Sequence, residues 1–392
     1  MKIGIDKMGI YVPKYYLDIR DLAVARNIDP DKFVLGLMQN KMAINPITQD
    51  IVTMGVMAAE KILDDNDKKN IDMLIVGTET GVDQSKSASA FIHSLLGINE
   101  FCRSVEIKQA CYGATAALQI AKDYISSRPD SKVLVIASDI AKYGINTSGE
   151  STQGCGAVAM LISQNPKMLE ITNEAVCYTK DVMDFYRPNN SIYAIANGKL
   201  STDTYLLSLD KVYSEFENRF GKKNYSALCF HIPYPKLGLK GLKRINRENL
   251  LEKFNASVIY SKEIGNIYTG SLFLSLISLL ENSEKMNKDS LIGLYSYGSG
   301  AVSEFFTLKI VEGYNKYLHR EENVKMLENR KKLNIKEYEE MFFETLKEDV
   351  QFNNLEGEKV YLKGIFNKER KYEKIWKILQ KKQNRKSRNS KR

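Results

Sequence analysis

Two short glycine-rich stretches resemble each other and decide the fold: Gly154-Cys155-Gly156-Ala157-Val158 and Gly298-Ser299-Gly300-Ala301-Val302. Each leads into an apolar segment, residues 159–163 after the first stretch and 305–311 after the second. Upstream of each lies a turn of small residues that opens a predicted helix, at 110–115 and at 265–271. Two correspondences in the same order indicate duplicated halves. We predict a first half over residues 1–165 and a second over 166–368.

Apolar, β-branched runs alternate with helical patterns in both halves. Predicted strands cover residues 2–12, 73–78, 103–107, 132–138, 228–232 and 291–295, and predicted helices cover 50–63, 88–96, 112–125 and 269–280. This alternation is typical of an α/β fold with helices on both faces of its sheets. The helix over 269–280 is strongly apolar, so we expect it to be buried.

The composition is that of a globular protein. The 392 residues are 43% hydrophobic and 27% charged, which excludes wholesale disorder. Apolar residues 272–280 are about half the ~20 residues that a membrane-spanning helix needs, and the N-terminus shows no apolar secretory segment. We therefore expect a cytoplasmic protein without membrane association.

The positive charge is concentrated at the C-terminus. The formal net charge is +9, but residues 357–392 hold 14 Lys/Arg against 3 Asp/Glu, leaving a net −2 in residues 1–356. A basic tail can contact RNA or anionic lipid, and a solvated terminus is the simpler interpretation. We predict a basic, irregular tail over 369–392 and do not expect nucleic-acid binding.

Cysteine and histidine usage narrows the possible chemistry. Five cysteines include no Cys-x-x-Cys pair, so no zinc site or redox motif is predicted and reduced thiols are the default. A histidine working near neutral pH must be His93, His231 or His319. Of these, only His231 ends a predicted strand, although a histidine among apolar neighbours is often a structural core residue.

Cys111 is the candidate nucleophile. It follows the predicted strand 103–107 and begins a helix rich in small residues. A helix N-terminus favours thiolate over thiol, and the small residues after it allow a substrate to approach. The alternative is a buried cysteine that only packs.

Glu79 and Asn266 are further candidates. Glu79 ends the apolar run 74–78, and the carboxyl end of a buried strand is where α/β sheets bind ligands. Partial burial would raise the pKa of its carboxyl group and suit it as a base; the alternative is an exposed loop acid. Asn266 is either a helix N-cap or, in a duplicated fold, a residue facing Cys111.

Several strings of the sequence carry a family resemblance. They are Gly4-Ile5-Asp6, Tyr11-Val12-Pro13-Lys14-Tyr15-Tyr16, Thr78-Glu79-Thr80, Ala110-Cys111-Tyr112, Gly149-Glu150-Ser151-Thr152-Gln153-Gly154, Asp184-Phe185-Tyr186-Arg187-Pro188, Phe230-His231-Ile232-Pro233, Gly265-Asn266-Ile267-Tyr268-Thr269-Gly270-Ser271 and Ser296-Tyr297-Gly298-Ser299-Gly300. Together, over about residues 1–365, they resemble the 3-hydroxy-3-methylglutaryl-CoA (HMG-CoA) synthases in their bacterial mevalonate-pathway form. The resemblance implies the thiolase-like α/β fold, with two similar halves in five layers (α-β-α-β-α), and a homodimer.

The resemblance also implies the chemistry. Cys111 would take the acetyl group of acetyl-CoA, Glu79 would remove a proton from the acetyl methyl group, and His231 would protonate the oxygen of acetoacetyl-CoA after the attack. Water would then release HMG-CoA. The implied substrate-binding residues are Asp29, Tyr143, Thr152, Arg187, Ser201, Lys240, Asn266 and Ser299. No metal or organic cofactor is expected, because the CoA thioesters supply the activation.

Three alternatives remain open at this point. Type III ketoacyl synthases share the cysteine, histidine and asparagine but lack the strand-end glutamate, which argues against them. Polyketide HMG synthases act on acyl-carrier-protein substrates with the same catalytic residues, so the residues cannot separate them. The third alternative is a non-catalytic protein that binds nucleic acid or membrane through its tail. Such a protein would not require Cys111, Glu79 and His231 together.

Overall fold

The computed structural model describes residues 1–375. Its strands are β1 (Ile3–Tyr11), β2 (Tyr15–Asp18), β3 (Lys41–Ile44), β4 (Ile71–Gly77), β5 (Arg103–Ile107), β6 (Lys132–Ala141), β7 (Gly154–Gln164), β8 (Leu169–Thr179), β9 (Phe185–Tyr186), β10 (Ile195–Ala196), β11 (Ala227–Phe230), β12 (Leu291–Gly298), β13 (Val302–Ile310), β14 (Lys331–Lys332), β15 (Val350–Gln351), β16 (Val360–Phe366) and β17 (Glu369–Lys374). Its helices are α1 (Ile19–Ala25), α2 (Pro30–Val34), α3 (Ile51–Glu60), α4 (Asp65–Asn70), α5 (Ala88–Leu96), α6 (Gly113–Ser127), α7 (Gly198–Phe220), α8 (Pro235–Arg244), α9 (Leu251–Ser257), α10 (Ile259–Ile264), α11 (Ser271–Asn282), α12 (Arg320–Glu328) and α13 (Ile335–Phe343). No helix within these residues is long and apolar enough to cross a membrane.

The main sheet repeats one strand order in the two halves. Its nine strands run β11-β12-β13-β8-β1-β7-β6-β4-β5. In the first half, β1 lies antiparallel beside β7, and β6 and β4 run parallel to each other. In the second half, β8 lies antiparallel beside β13, and β12 and β11 run parallel to each other. The two half-sheets join where β1 pairs with β8. The sequence similarity around the two glycine-rich stretches therefore corresponds to a repeated topology.

Helices α6 and α11 lie between the two half-sheets. Helix α6 packs on β4 and β6 of the first half, and Thr115 at its start shares a 2.8 Å hydrogen bond with Ser296 on β12 of the second half. Helices α3 and α5 cover the outer face of the first half-sheet, and α7 covers that of the second, where Tyr213 packs edge-to-face on Phe305 of β13. This order of helices and strands gives five layers. Helix α11 is almost entirely buried, as its apolar sequence predicts.

A small separate core lies beside the layered body. Leucine, isoleucine and aromatic side chains of β2, α1, β3 and α13 form it, including Leu22, Tyr338 and Phe342. We call this group the side core. It borders the loop after β6, so it bears on the site described below.

The structure corrects the predicted start of the tail and excludes one of the two alternatives for Asn266. Residues 369–375 are not tail: β17 pairs antiparallel with β16, Tyr372 donates a 2.6 Å hydrogen bond to Asp50, and Lys374 pairs with Glu60 at 2.6 Å. Acidic groups of α3 and its N-cap thus hold basic residues that a charge count assigns to the tail. The rest of that predicted tail lies outside the described residues. Asn266 is not the N-cap of α11, because the helix begins at Ser271 with Gly270 as its cap.

Candidate active site

A cavity of about 390 Å³ lies where the two halves meet. Both halves contribute to its wall. The predicted site residues that line it are Cys111, Tyr143, Thr152, Ser201, His231, Asn266 and Ser299. Residues far apart in sequence are thus brought to one cavity by the duplicated topology.

Cys111 sits just before α6 and is buried at the cavity floor. Ala110, which precedes it, has a left-handed backbone with φ of 41°, and Tyr268 takes φ of 44° at the same position relative to α11. The thiol of Cys111 donates a 3.1 Å hydrogen bond to Glu79 Oε1. Burial and the charge of Glu79 raise the pKa of the thiol well above its usual value. The resting sulfur is therefore a neutral thiol with its proton directed at Glu79.

Glu79 follows β4 and enters the site from the carboxyl end of that strand. Burial, together with the charge of Asp139, raises the pKa of its carboxyl group to about 8. The thiol of Cys111 and the guanidinium of Arg187 act in the opposite direction. Arg187 also donates a 2.6 Å hydrogen bond to the backbone oxygen of Glu79. A carboxyl group with this pKa exchanges protons near neutral pH.

Asp139 is a buried carboxylate beneath Glu79 that the sequence analysis did not select. Its Oδ1 accepts from the backbone N–H of Glu79 at 2.9 Å and from the hydroxyls of Thr78 and Thr80, each at 2.7 Å. Its Oδ2 accepts from the backbone and hydroxyl of Thr269. Asp139 lies on β6, beside the parallel strand β4, and directly follows predicted strand 132–138. The strand-end rule that selects Glu79 could also have found it.

His231 follows β11 on the opposite wall. Its backbone N–H donates to Tyr295 O at 2.7 Å, and its carbonyl accepts from the hydroxyl of Tyr205 at 2.8 Å. Its Nδ1 is buried and makes no hydrogen bond with the described part of the chain. Burial lowers the pKa of the imidazole to about 3. The ring is therefore neutral in the resting cavity.

The amide of Asn266 is oriented by the turn before α11. Its Oδ1 accepts from the backbone N–H of Tyr268 at 2.9 Å and from the hydroxyl of Ser271 at 2.8 Å. Its Nδ2 donates to the hydroxyl of Tyr143 at 3.0 Å. Because the carbonyl end is occupied, the donor end is the one directed toward the cavity wall.

The turn that carries Ser299 is held by Asp184, another residue without an assignment from sequence. Asp184 accepts from the hydroxyl of Tyr297 at 2.7 Å and from the backbone N–H of Gly300 at 2.9 Å. It belongs to the same string as Arg187, where only the arginine was selected. The backbone N–H of Tyr112 is likewise bonded to Gln109 O. The amides of Cys111 and Ser299 are left as the candidates for stabilising an oxyanion.

Three predicted binding residues lie outside the cavity wall: Arg187, which contacts the backbone of Glu79 as described above, Asp29 and Lys240. Asp29 is exposed and caps α2, where it accepts from the backbone N–H of Asp31 at 3.0 Å. Lys240 is exposed on α8, three residues after Leu237, which lines the cavity. Helical spacing places these two on one face of α8, so Lys240 is outward of the mouth.

A larger cleft of about 690 Å³ lies elsewhere, beside β8 and the N-terminus. Its charged groups are engaged within the protein: Lys223 pairs with Glu174 at 2.6 Å, and Lys122 donates to Thr172 O at 2.7 Å. Across residues 1–375, no group of histidine, cysteine and carboxylate side chains has a metal-binding arrangement. The chemistry-bearing residues are those of the smaller cavity.

Comparison with known proteins agrees with this geometry. The family models described as hydroxymethylglutaryl-coenzyme A synthase N terminal and C terminal match residues 1–167, and 171–252 with 234–372. The hydroxymethylglutaryl-CoA synthase of Enterococcus faecalis is 50% identical over 95% of this chain and 100% of its own length. The polyketide biosynthesis 3-hydroxy-3-methylglutaryl-ACP synthase of Bacillus subtilis (strain 168) is 34% identical over 86% of this chain and 87% of its own. A crystal structure of an HMG-CoA synthase complexed with CoA superposes with a TM-score of 0.93 at 47% identity, covering 95% of this chain and 100% of that one.

The fold and the cavity define an acyl-transferring condensing enzyme of the thiolase-like class, as predicted. The chain belongs to the hydroxymethylglutaryl-CoA synthase family. The predicted family and enzyme class are confirmed, and condensation of acetyl-CoA with acetoacetyl-CoA fits both.

Proposed function

We propose that Cys111, Glu79 and His231 carry out the condensation of acetyl-CoA with acetoacetyl-CoA and water, which yields HMG-CoA and CoA in the mevalonate route to isoprenoids. The observation that carries this assignment is the 3.1 Å contact between the Cys111 thiol and Glu79, in a cavity that His231 also lines. The nucleophile and the proton donor thus line one cavity, and the base contacts the nucleophile directly.

The first step forms a thioester between Cys111 and the acetyl group. The Cys111 sulfur attacks the acetyl carbonyl and gives up its proton, the carbon–sulfur bond to CoA breaks, and the leaving CoA sulfur takes up that proton. Helix α6 directs its N-terminal dipole at the sulfur and at the oxyanion. Preorganised amides of this kind typically contribute ~10²–10³ in rate. Glu79 in its ionised form raises the pKa of the thiol and so does not favour the thiolate. Acylation is therefore not expected to depend on that carboxylate.

In the second step, Glu79 removes a proton from the methyl group of acetyl-Cys111. The resulting carbanion attacks the ketone carbon of acetoacetyl-CoA, forming the new carbon–carbon bond. The neutral imidazole of His231 gives its ring proton to the ketone oxygen, where negative charge develops. The proton that Glu79 took from the methyl group then replaces the proton lost by His231, so both groups return to their starting protonation states. Water then cleaves the thioester and restores the Cys111 thiol.

The binding roles follow from position. Asn266 presents its Nδ2 to the acetoacetyl group, beside Tyr143, while Thr152, Ser201 and Ser299 shape the cavity. Arg187 fixes the backbone of Glu79 through its 2.6 Å hydrogen bond. Asp29 and Lys240 contact the CoA portion outside the cavity, where a long thioester must extend. The reaction needs no metal or organic cofactor, because thioester exchange and proton transfer suffice.

Carrier-protein substrates are the second candidate, because the Bacillus subtilis relative is a polyketide HMG-ACP synthase with 34% identity. The 50% identity to the Enterococcus faecalis HMG-CoA synthase favours free CoA substrates. The test is HMG-thioester formation from acetyl-CoA with acetoacetyl-CoA or with acetoacetyl carrier protein. Wild type should turn over the CoA substrate and Cys111→Ala should not. Turnover of only the carrier-bound substrate would contradict the assignment.

The enzyme acts as a homodimer in the cytoplasm. Strand β5 ends the nine-stranded sheet, and beside it Phe101 is 94% exposed and Val105 is 40% exposed. An edge strand with exposed apolar side chains is suited to pairing with a second copy. The free thiols of all five cysteines suit a reducing compartment. Sedimentation should give a dimer for wild type and a monomer for Val105→Asp; a monomeric wild type would contradict the pairing.

A further inference from the structure

The motif Gly149-Glu150-Ser151-Thr152-Gln153-Gly154 contains buried polar residues for which the reaction has no use, among them Glu150 and Gln153. Glu150 and Gln153 are 2% and 3% exposed, and neither lines the cavity. Residues 143–149 follow β6 and end at Gly149, the first residue of this motif. We call this segment the 143 loop. Tyr143, Thr147, Ser148 and Gly149 of this loop line the cavity wall. The two buried residues lie directly behind that wall.

Gln153 holds the start of the 143 loop. Its Oε1 accepts from the backbone N–H groups of Tyr143 and Gly144, at 2.8 and 3.3 Å. Its Nε2 donates to the hydroxyl of Tyr338 at 2.9 Å. The single amide therefore joins the loop to helix α13 of the side core.

Glu150 holds the middle of the same loop. It accepts from the backbone N–H of Asn146 at 2.8 Å, from two nitrogens of Arg26 at 3.0 and 2.8 Å, and from the hydroxyl of Tyr338 at 3.1 Å. Arg26 extends from the end of α1 and also pairs with Glu339 at 2.7 Å. A buried carboxylate with this many partners is fixed in one position.

The first residue of the 143 loop, Tyr143, contacts residues of the substrate site. The ring of Tyr143 packs edge-to-face on Phe185 and Tyr268, and its hydroxyl accepts from Asn266. Gly149 lies under that ring, where a Cβ would fall 2.8 Å from the ring carbon Cγ. The position of Tyr143 is therefore set from behind by Gln153 and from below by Gly149.

We propose that Gln153, Glu150 and Tyr338 are positioning residues that, through the 143 loop, align Tyr143 and the Asn266 amide for acetoacetyl-CoA. The proposal rests on the assignment of Asn266 to that substrate. It gives the side core a part in the reaction, although it contributes no group to the cavity. Cys111 packs near Tyr143 but hydrogen-bonds to Glu79 and not to this network, so we expect acetylation to proceed without the network.

The test compares two tyrosines that each donate to a carboxylate, the buried Tyr338 and the partly buried Tyr372. Tyr338→Phe removes the hydroxyl that links Gln153 to Glu150. Tyr372→Phe is the matched control, because it removes a tyrosine–carboxylate hydrogen bond to Asp50, and neither residue lines the cavity. We measure KM for acetoacetyl-CoA, the rate of Cys111 acetylation by acetyl-CoA, and Tm. Tyr338→Phe should raise KM about fivefold or more, the effect of one lost hydrogen bond, with acetylation unchanged.

The outcomes separate positioning from a loss of stability. Tyr372→Phe should lower Tm as Tyr338→Phe does but leave KM near the wild-type value. Equal KM values for the two folded variants would overturn the proposal, as would a parallel loss of acetylation in Tyr338→Phe. Failure of wild type to acetylate Cys111 would instead contradict the proposed function.

Discussion

Raising the pH should accelerate condensation, because the carboxyl group of Glu79 is mostly protonated near neutrality. Burial and the charge of Asp139 raise its pKa to about 8. With that pKa, about one tenth of the carboxyl group is ionised at pH 7 and about one hundredth at pH 6. The base must be ionised to remove the methyl proton, so the rate should rise about tenfold per pH unit below pH 8 and level off above it. We call the rising part of this pH–rate profile the limb. Acetylation removes the thiol hydrogen bond that lowers the Glu79 pKa, so the limb of the acetyl-enzyme should fall at the same pH as the free-enzyme pKa or higher.

The assay follows a single turnover of condensation. Enzyme acetylated with limiting acetyl-CoA is mixed with excess acetoacetyl-CoA at pH 6–9, quenched, and analysed for HMG-CoA. Asp139→Asn should move the limb to lower pH, because it removes a charge that raises the Glu79 pKa. Its lost hydrogen bonds will also destabilise the fold by about 1–3 kcal/mol. Asp50→Asn, at a buried carboxylate that does not contribute to the Glu79 pKa, is the control and should leave the limb unchanged.

A rate that stays level from pH 6 to 9 would refute the assignment of Glu79 as a base with a raised pKa. An unshifted limb in folded Asp139→Asn would show that Asp139 does not set that pKa.

Three further substitutions test individual parts of the site. Glu79→Ala should still form acetyl-Cys111, seen by mass spectrometry, but give no HMG-CoA, because only condensation needs the base; lost acetylation would contradict this division. His231→Ala should also acetylate, while condensation measured by single turnover falls by the ~10²–10⁴ typical of a positioned proton donor. His93→Ala should condense normally. If His93→Ala abolished condensation and His231→Ala retained it, the proton donor would be His93 and not His231. Gly298→Ala places a Cβ 2.6 Å from Gln109 O and Tyr112 N. It should therefore slow acetylation and lower the free energy of unfolding, measured with denaturant, by about 1–3 kcal/mol. Acetylation at the wild-type rate would show that the backbone shifts to accept the Cβ without disturbing Cys111.

The sequence predicts the layered core well because each half repeats one order of strands and helices. Predicted strand 103–107 and helix 88–96 agree with β5 and α5, and in α5 the apolar face of the pattern is the buried one. Strand β17 was missed because its stability depends on Asp50 and Glu60, more than 300 residues away in sequence. A local charge count cannot detect partners at that distance.

The site divides in the same way. Cys111 and Glu79 were found because each adjoins the carboxyl end of a predicted strand, and Asp139 satisfies the same rule. Gln153 and Tyr338 are separated by 185 residues, and no periodicity relates them. Their contact depends on how the side core packs against the loop, which only the three-dimensional structure shows.

The most direct test of the central claim is mass spectrometry of peptides from the enzyme after brief exposure to acetyl-CoA alone. The structure predicts one acetyl group, on the peptide containing Cys111, that disappears when acetoacetyl-CoA is added as HMG-CoA forms. An acetyl group on another residue, or an active enzyme that never carries one, would contradict the mechanism.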